Sequence, residues 1–191
     1  DKNAFTRESL NSIAENLVAD DRPNKETWTP LSLLLKPFNK KWSKRNKTLG
    51  AAWVLKNCGG EILLHSRRVF ANVEFFVDAK FLALLWATES MQSHHVTKVI
   101  FEVDFADLVG AVTKPKAWPA FRYQGVELKK SLVNFQEWTI LVVSSRANRC
   151  AQAIAKSVTR EKRFQSYVAM GNPQWVEFHA RCPLETFRMF Y

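Results

Sequence analysis

The sequence predicts an α/β protein with one mixed sheet flanked by helices. Three apolar segments of strand length follow one another between residues 31 and 70, and Gly59-Gly60 marks a hairpin turn between the second and the third. The apolar spacing then changes to a helical period over 73–93, and strands and helices alternate after that. Consecutive strands followed by such alternation are typical of a mixed sheet with helices on its faces.

The apolar periods give five strands and four helices after residue 30. Strands are predicted over 31–39, 50–55, 61–70, 96–103 and 137–144. Helices are predicted over 73–93, 105–112, 126–135 and 147–159. The strand over 96–103 ends at Asp104, and open α/β sheets place their chemistry at such carboxyl ends.

The chain divides into three parts. An amphipathic helix over 5–19 and a linker make up residues 1–27, and the compact domain is expected over 28–163. Residues 164–191 form a tail rich in aromatic side chains. Because the first residue is Asp rather than Met, we expect a fragment of a longer protein.

The composition points to an acidic partner. There are 28 Lys and Arg residues against 18 Asp and Glu, which gives a net charge of +10. Nucleic acid is the leading candidate for such a basic domain, and solubility alone is the alternative. Three cysteines without CxxC spacing indicate reduced thiols in an intracellular compartment, nuclear or cytoplasmic, rather than a zinc site. No apolar run approaches the ~20 residues of a membrane span, so we expect no membrane partner.

Several short strings, in their order and spacing, carry a family resemblance. They are Gly50–Leu55, Gly60–Leu63, Ala83–Ala87, Phe101–Asp104, Arg146–Asn148 and Gly171–Trp175. Together they resemble the ribonuclease H domain of plant non-LTR retroelements, a reverse-transcriptase-like domain, over roughly Trp28 to Trp175. The resemblance implies a ribonuclease H-like fold with a five-stranded mixed sheet, in which three antiparallel strands precede the parallel ones.

The resemblance also implies two-metal phosphodiester hydrolysis by four carboxylates that hold Mg²⁺. Only Asp104 is acidic here, because Asn39, Lys80 and Gln152 stand at the other three positions. We therefore expect a pseudoenzyme without a metal cofactor, in which Lys80 pairs with Asp104 and Asp107 is the one acid able to compensate marginally. With its partners replaced, Asp104 is more simply interpreted as the cap of the following helix.

Basic residues near aromatic ones are the candidates for nucleic-acid contact, with solvated loops as the alternative. One group forms the loop after the first strand and contains Lys40, Lys41, Lys44, Arg45 and Lys47. A second group is Arg67 and Arg68, across the hairpin. A third is Lys114, Lys116 and Trp118, in the region where the resemblance implies that the family handles its substrate. A-form duplexes are bound by shape and backbone, so binding can outlast catalysis.

Three functions follow, in order of preference. The first is a non-catalytic module that binds RNA or RNA–DNA hybrid, which the net charge favours. The second is a protein-interaction or structural module that uses the aromatic tail, where Phe187, Phe190 and Tyr191 end the chain. The third is a weakly active Mg²⁺-dependent ribonuclease of RNA–DNA hybrids.

Overall fold

The structure is a computed structural model that describes residues 31–38 and 48–173, with the backbone alone for 31–38. Expectations for residues 1–27, for the basic loop 40–47 and for the end of the tail after residue 173 lie outside the described residues. Within the described residues, no helix is long and apolar enough to cross a membrane.

The described chain forms six strands and four helices. The strands are β1 (Leu31–Phe38), β2 (Leu49–Lys56), β3 (Ile62–Phe70), β4 (Lys98–Val103), β5 (Glu137–Val142) and β6 (Tyr167–Met170). The helices are α1 (Phe76–Ser93), α2 (Ala106–Thr113), α3 (Arg122–Leu132) and α4 (Arg149–Arg160). Two short 3-10 turns, Pro115–Ala117 and Pro119–Phe121, join α2 to α3. The helix α3 begins at Arg122, four residues earlier than the sequence predicts.

The strands form one mixed sheet in the order β5-β4-β1-β2-β3-β6. β1, β2 and β3 pair antiparallel in sequence, while β4 pairs parallel with both β1 and β5. This confirms the predicted fold class. The predicted count of five strands was one too low, because β6 pairs antiparallel with β3 and extends the sheet beyond residue 163. A four-residue strand is too short to show a clear alternation of apolar residues, so its spacing does not indicate a strand.

Helices cover the sheet on both faces because side chains alternate along each strand. Trp53 of β2 and Phe101 of β4 are fully buried in the larger cluster, against α1, α2 and α3. On the other face, Ala52 of β2 packs under Ala151 and Ala155 of α4. The small side chains at these positions allow α4 to lie close to the sheet.

A glycine in β2 and another in α3 mark the closest approaches. A Cβ atom on Gly50 would lie 2.7 Å from the carbonyl oxygen of Ala155 in α4. A Cβ atom on Gly125 would lie 2.6 Å from the carbonyl oxygen of Ala111, so α2 and α3 are in backbone contact there. Both positions require glycine, since real Cβ atoms do not approach backbone oxygen this closely.

Candidate functional site

The site lies where the parallel strands β1 and β4 end side by side. Leu35 of β1 stands opposite Val103, the last residue of β4. Asp104 follows immediately and is half-buried, at the carboxyl edge of the sheet where the sequence predicts it. The hydroxyl of Ser145, in the loop after β5, donates a hydrogen bond to Asp104 Oδ2 at 3.2 Å.

Asp104 is not the N-cap of the following helix. That position belongs to Phe105, whose side chain makes no capping hydrogen bond. Instead, the Oδ1 atom of Asp107 accepts a hydrogen bond from the amide of Leu108 at 3.0 Å in the first turn of α2. The expected cap role of Asp104 is therefore wrong.

Lys80 lies in the second turn of α1 and reaches across to α2. Its Nζ atom donates a hydrogen bond to Asp107 Oδ2 at 2.6 Å, and the two side chains are only 17% and 20% exposed. The ring of Phe76 lies 5.0 Å from the same ammonium, and that of Phe105 lies 5.6 Å away. The ammonium is thus enclosed by one carboxylate and two aromatic faces.

The expected ion pair between Lys80 and Asp104 is wrong in its partner. The chain turns into α2 directly after Asp104, and the first turn of that helix presents Asp107 to α1. Asp104 itself bonds in the direction of β5 through Ser145. The acid that pairs with Lys80 is therefore Asp107, three residues after the Asp104 of the prediction.

The two remaining positions of the implied metal site contribute less. Gln152 is half-buried in the first turn of α4, and its side chain makes no hydrogen bond with Asp104 or Lys80, all three being described residues. Its backbone amide donates to the carbonyl oxygen of Asn148 at 2.8 Å. Asn39 lies outside the described residues.

The described donors do not fit a pair of Mg²⁺ ions. Magnesium needs anionic oxygen ligands, and the set here is the Asp104 carboxylate, the Gln152 amide and a carboxylate, Asp107, already bonded to an ammonium. A divalent cation beside Lys80 would also be repelled by its charge. Over the described ranges, no three His, Cys, Asp or Glu side chains group so as to hold a metal ion.

Arg67 was predicted to contact nucleic acid, and its position contradicts this. The residue is 8% exposed. Its Nε atom donates to the carbonyl oxygen of Gln165 at 3.1 Å, and one terminal nitrogen donates to Ser157 Oγ at 3.0 Å. Its guanidinium also lies 4.8 Å from the ring centre of Tyr167. Burial lowers the pKa of Arg67, which holds β3, α4 and β6 together rather than facing a ligand.

The other described candidates divide into exposed and packed side chains. Arg68 points to the opposite sheet face from its neighbour and is exposed, 5.2 Å over the ring of Phe70. Lys114 and Lys116 are exposed. Trp118 is half-buried and packs against α2 at Gly110. A Cβ atom on Gly110 would lie 2.1 Å from the indole nitrogen of Trp118. Trp118 therefore packs mainly inside the protein.

Exposed aromatic side chains that were not predicted from the sequence lie at the starts of α1 and α3, and the ring of one of them, Phe76, lies 5.0 Å from the Lys80 ammonium. Phe75 is 64% exposed and Phe76 is 49% exposed, at the start of α1. Tyr123, at the start of α3, is 67% exposed and contacts the ring of Phe81 at 6.2 Å between centroids. Two adjacent phenylalanines at a helix start could have indicated this surface, because a helix buries only one of two consecutive side chains fully.

The family model that describes reverse transcriptase-like domains matches residues 38–158, which is more than half of the chain. The chain belongs to the reverse transcriptase-like family. The matched range runs from the last residue of β1 to within two residues of the end of α4, and it contains Asp104, Lys80 and Gln152.

Solved structures similar to this reverse transcriptase-like domain are RNases H. RNase H1 of Halobacterium salinarum superposes with a TM-score of 0.57 at 19% identity, over 70% of this chain and 98% of that one. LC9-RNase H1, a type 1 RNase H with the type 2 active-site motif, gives 0.55 at 11% identity, over 82% and 85%. The N-terminal RNase H domain of a Mycobacterium tuberculosis protein gives 0.53 at 13% identity, over 65% and 95%. These likenesses confirm the predicted ribonuclease H-like fold.

A curated relative matches a smaller part of the chain. A Josephin-like protein of Arabidopsis thaliana is 46% identical over 72 residues, which cover 38% of this chain. The match covers 20% of that relative, so the chain spans about a fifth of its length.

Proposed function

We propose that this reverse transcriptase-like domain is a catalytically degenerate ribonuclease H-like module that binds RNA or RNA–DNA hybrid without cleaving it. The observation that carries the proposal is the ion pair between Lys80 and Asp107, with 2.6 Å between Nζ and Oδ2. A cation stands where the family resemblance implies a metal-binding carboxylate. Catalysis would need that position to be anionic.

The surroundings of Lys80 hold its ammonium group in place. Its side chain is 17% exposed and faces the rings of Phe76 and Phe105. In such an environment charges interact more strongly than in water, so the bond to Asp107 and the repulsion of a metal ion both increase. Coordination by Asp107 would place a metal ion beside the Lys80 ammonium, which repels it.

Binding of nucleic acid does not need the metal. The net charge of +10 attracts phosphates over a distance of several ångströms, and Lys114, Lys116 and Arg68 present exposed charges on the described surface. A-form duplexes are recognised by the shape of their minor groove and by backbone and 2′-OH contacts. A ribonuclease H-like surface therefore retains the features for binding after its carboxylates are replaced.

The test measures binding and cleavage together. A fluorescent RNA–DNA hybrid and a matched single-stranded RNA are titrated with the protein by anisotropy at several salt concentrations with Mg²⁺ present, and the products are run on a denaturing gel. We expect binding that weakens with salt, and intact RNA. Mg²⁺-dependent cleavage that Asp104→Asn abolishes would overturn the proposal. Absence of binding to both probes would leave the protein-interaction module as the better interpretation.

Restoration of the carboxylates tests the placement of the site. The variant Asn39→Asp, Lys80→Glu, Gln152→Asp introduces three carboxylates and lowers the net charge by four, and we expect calorimetry to detect Mg²⁺ binding that the natural sequence lacks. The control is Lys129→Glu with Lys130→Glu on the exposed surface of α3, which changes the net charge by the same amount elsewhere. Equal Mg²⁺ binding by both variants would show that the three positions are not the former metal site.

A further inference from the structure

α4 carries a line of basic side chains on the face turned away from the sheet. Ala151 and Ala155 are fully buried against β2 and define its inner face. Arg149, Lys156 and Arg160 follow one another at intervals of seven and four residues, so they project from one side, opposite the inner face. Arg149 and Arg160 are exposed and Lys156 is half-buried. We name Arg149, Lys156 and Arg160 the α4 ridge.

The α4 ridge belongs to a segment in which charge is concentrated. Arg146–Arg163 contains six basic residues and a single acid, Glu161, for a net charge of +5 out of the chain total of +10. Glu161 pairs with Arg163 at 2.7 Å, beyond the end of the helix. No acidic residue occurs within α4. Exposed helix faces that serve only solubility usually mix acids with bases, and this one does not.

Helix stability explains Arg160, which lies in the last turn of α4 where the helix dipole favours a cation, but it does not explain Arg149. Arg149 is the first residue of α4, where the helix dipole disfavours a cation. Lys156 and Arg160 are like charges four residues apart, which repel each other along a helix. The dipole at Arg149 and the repulsion between Lys156 and Arg160, on a helix that carries no acidic residue, indicate that the charge of the ridge serves an external anion.

The α4 ridge begins beside the degenerate site. Arg149 lies one turn before Gln152, which the family resemblance assigns to that site. From Arg149 to Arg160 the helix rises about 16 Å at 1.5 Å per residue. One strand of a duplex carries a phosphate about every 3.4 Å along its axis, so the ridge is long enough to follow about five of them.

We infer that the α4 ridge is a second nucleic-acid contact, which binds the phosphate backbone of the same RNA or RNA–DNA hybrid where it extends beyond the degenerate site. The inference rests on the proposed function and adds a surface to it. It predicts that a duplex long enough to reach both surfaces binds more tightly than one that fills the site alone.

The test compares two triple variants of the full chain. The ridge variant is Arg149→Gln, Lys156→Gln, Arg160→Gln, and the control variant is Lys98→Gln, Lys129→Gln, Lys130→Gln, which removes as much charge from β4 and α3. Fluorescent RNA–DNA hybrids of about 8 and about 20 base pairs are titrated between about 50 and about 300 mM salt. Circular dichroism and urea unfolding confirm that both variants are folded.

We expect the ridge variant to lose about two to three units from the slope of log K against log salt on the longer hybrid, since each phosphate contact contributes about 0.9. Its affinity for that hybrid should fall at least about tenfold near 100 mM salt, and less for the shorter one. The control variant should change the slope by less than about one unit.

Each other outcome has a separate meaning. If the natural sequence binds hybrid and the ridge variant behaves like the control, the ridge inference fails and the proposed function stands. If the natural sequence binds no nucleic acid, the proposed function fails and the inference with it. If the ridge variant retains hybrid binding but loses binding to vesicles of phosphatidylserine and phosphatidylcholine, the ridge contacts an anionic membrane surface and the inference is overturned.

Discussion

Lys80 and Arg67, two enclosed cations among the described residues, are accommodated in opposite ways. Lys80 faces a carboxylate, that of Asp107, at 2.6 Å, and both side chains retain some exposure. Arg67 is 8% exposed and donates to neutral oxygens, the carbonyl of Gln165 and the hydroxyl of Ser157. The first cation therefore has a charged partner close to solvent, and the second has dipoles inside the fold.

This difference separates a structural residue from a site residue. Arg67 spreads its charge over several donors to three elements, β3, α4 and the segment that leads into β6, so its loss would loosen all of them. Lys80 joins only α1 to α2, at the sheet edge where Asp104 lies. A cation in such a position alters the chemistry of the edge more than it stabilises the core.

The largest effect on stability is expected at Arg67. In Arg67→Met the Ser157 hydroxyl and the Gln165 carbonyl lose a charged donor and the ring of Tyr167 loses a cation, while the methionine fills much of the volume. We expect the free energy of unfolding to fall by about 3 kcal/mol, as for a broken buried polar network. Urea unfolding measures it.

Arg68→Met is the matched control, because Arg68 is adjacent but exposed on the opposite face. Its free energy of unfolding should change by no more than about 0.5 kcal/mol. If both variants lost the same free energy of unfolding, Arg67 would not hold the three elements together. Arg67 would then again be a candidate for nucleic-acid contact.

A smaller effect is expected at the Lys80–Asp107 pair. A double-mutant cycle with Lys80→Met and Asp107→Leu should give a coupling free energy of about 1–2 kcal/mol, because the pair is mostly withdrawn from water at 2.6 Å. The comparison pair is Lys130–Glu127, which has a similar distance of 2.7 Å but lies in solvent. Its coupling should be too small to measure. Equal couplings in the two cycles would contradict the view of Lys80 as an enclosed charge.

The sequence predicted the fold better than the side-chain contacts. The change from a strand period to a helical period after residue 70 is a property of the chain itself, and it located the strand that ends before Asp104. β6 was missed because its four residues are too few to show a strand period, and its place beside β3 is a long-range pairing.

The site was predicted in its residue types and less well in its pairs. The family resemblance indicated that Lys80 replaces a carboxylate, but the choice between Asp104 and Asp107 depends on where α2 begins, to within one helical turn. The sequence alone does not show which of Arg67 and Arg68 is buried, because that depends on the sheet face to which each side chain points. The α4 ridge did have a sequence signal, the spacing of its three cations in a predicted helix.

The smallest expected effect concerns pH at the Arg67 end of the molecule. His65 is buried between β2 and β6, and its Nδ1 atom lies 2.8 Å from the carbonyl oxygen of Gly171. Burial lowers the pKa of His65 below its ordinary value, and the nearby charge of Arg67 lowers it further. Between the folded pKa of His65 and about pH 6.5, the unfolded chain therefore binds a proton at this residue that the folded chain does not.

Stability from a neutral His65 is thus present above about pH 6.5 and is lost as the pH falls through the folded pKa. We expect the free energy of unfolding to decrease between about pH 7.5 and about pH 5, and His65→Gln to reduce that decrease. Part of it should persist, because burial also lowers the pKa of His94. A pH dependence unchanged by His65→Gln would show that the buried end of the molecule tolerates a second cation beside Arg67, which would remove the contrast with Lys80.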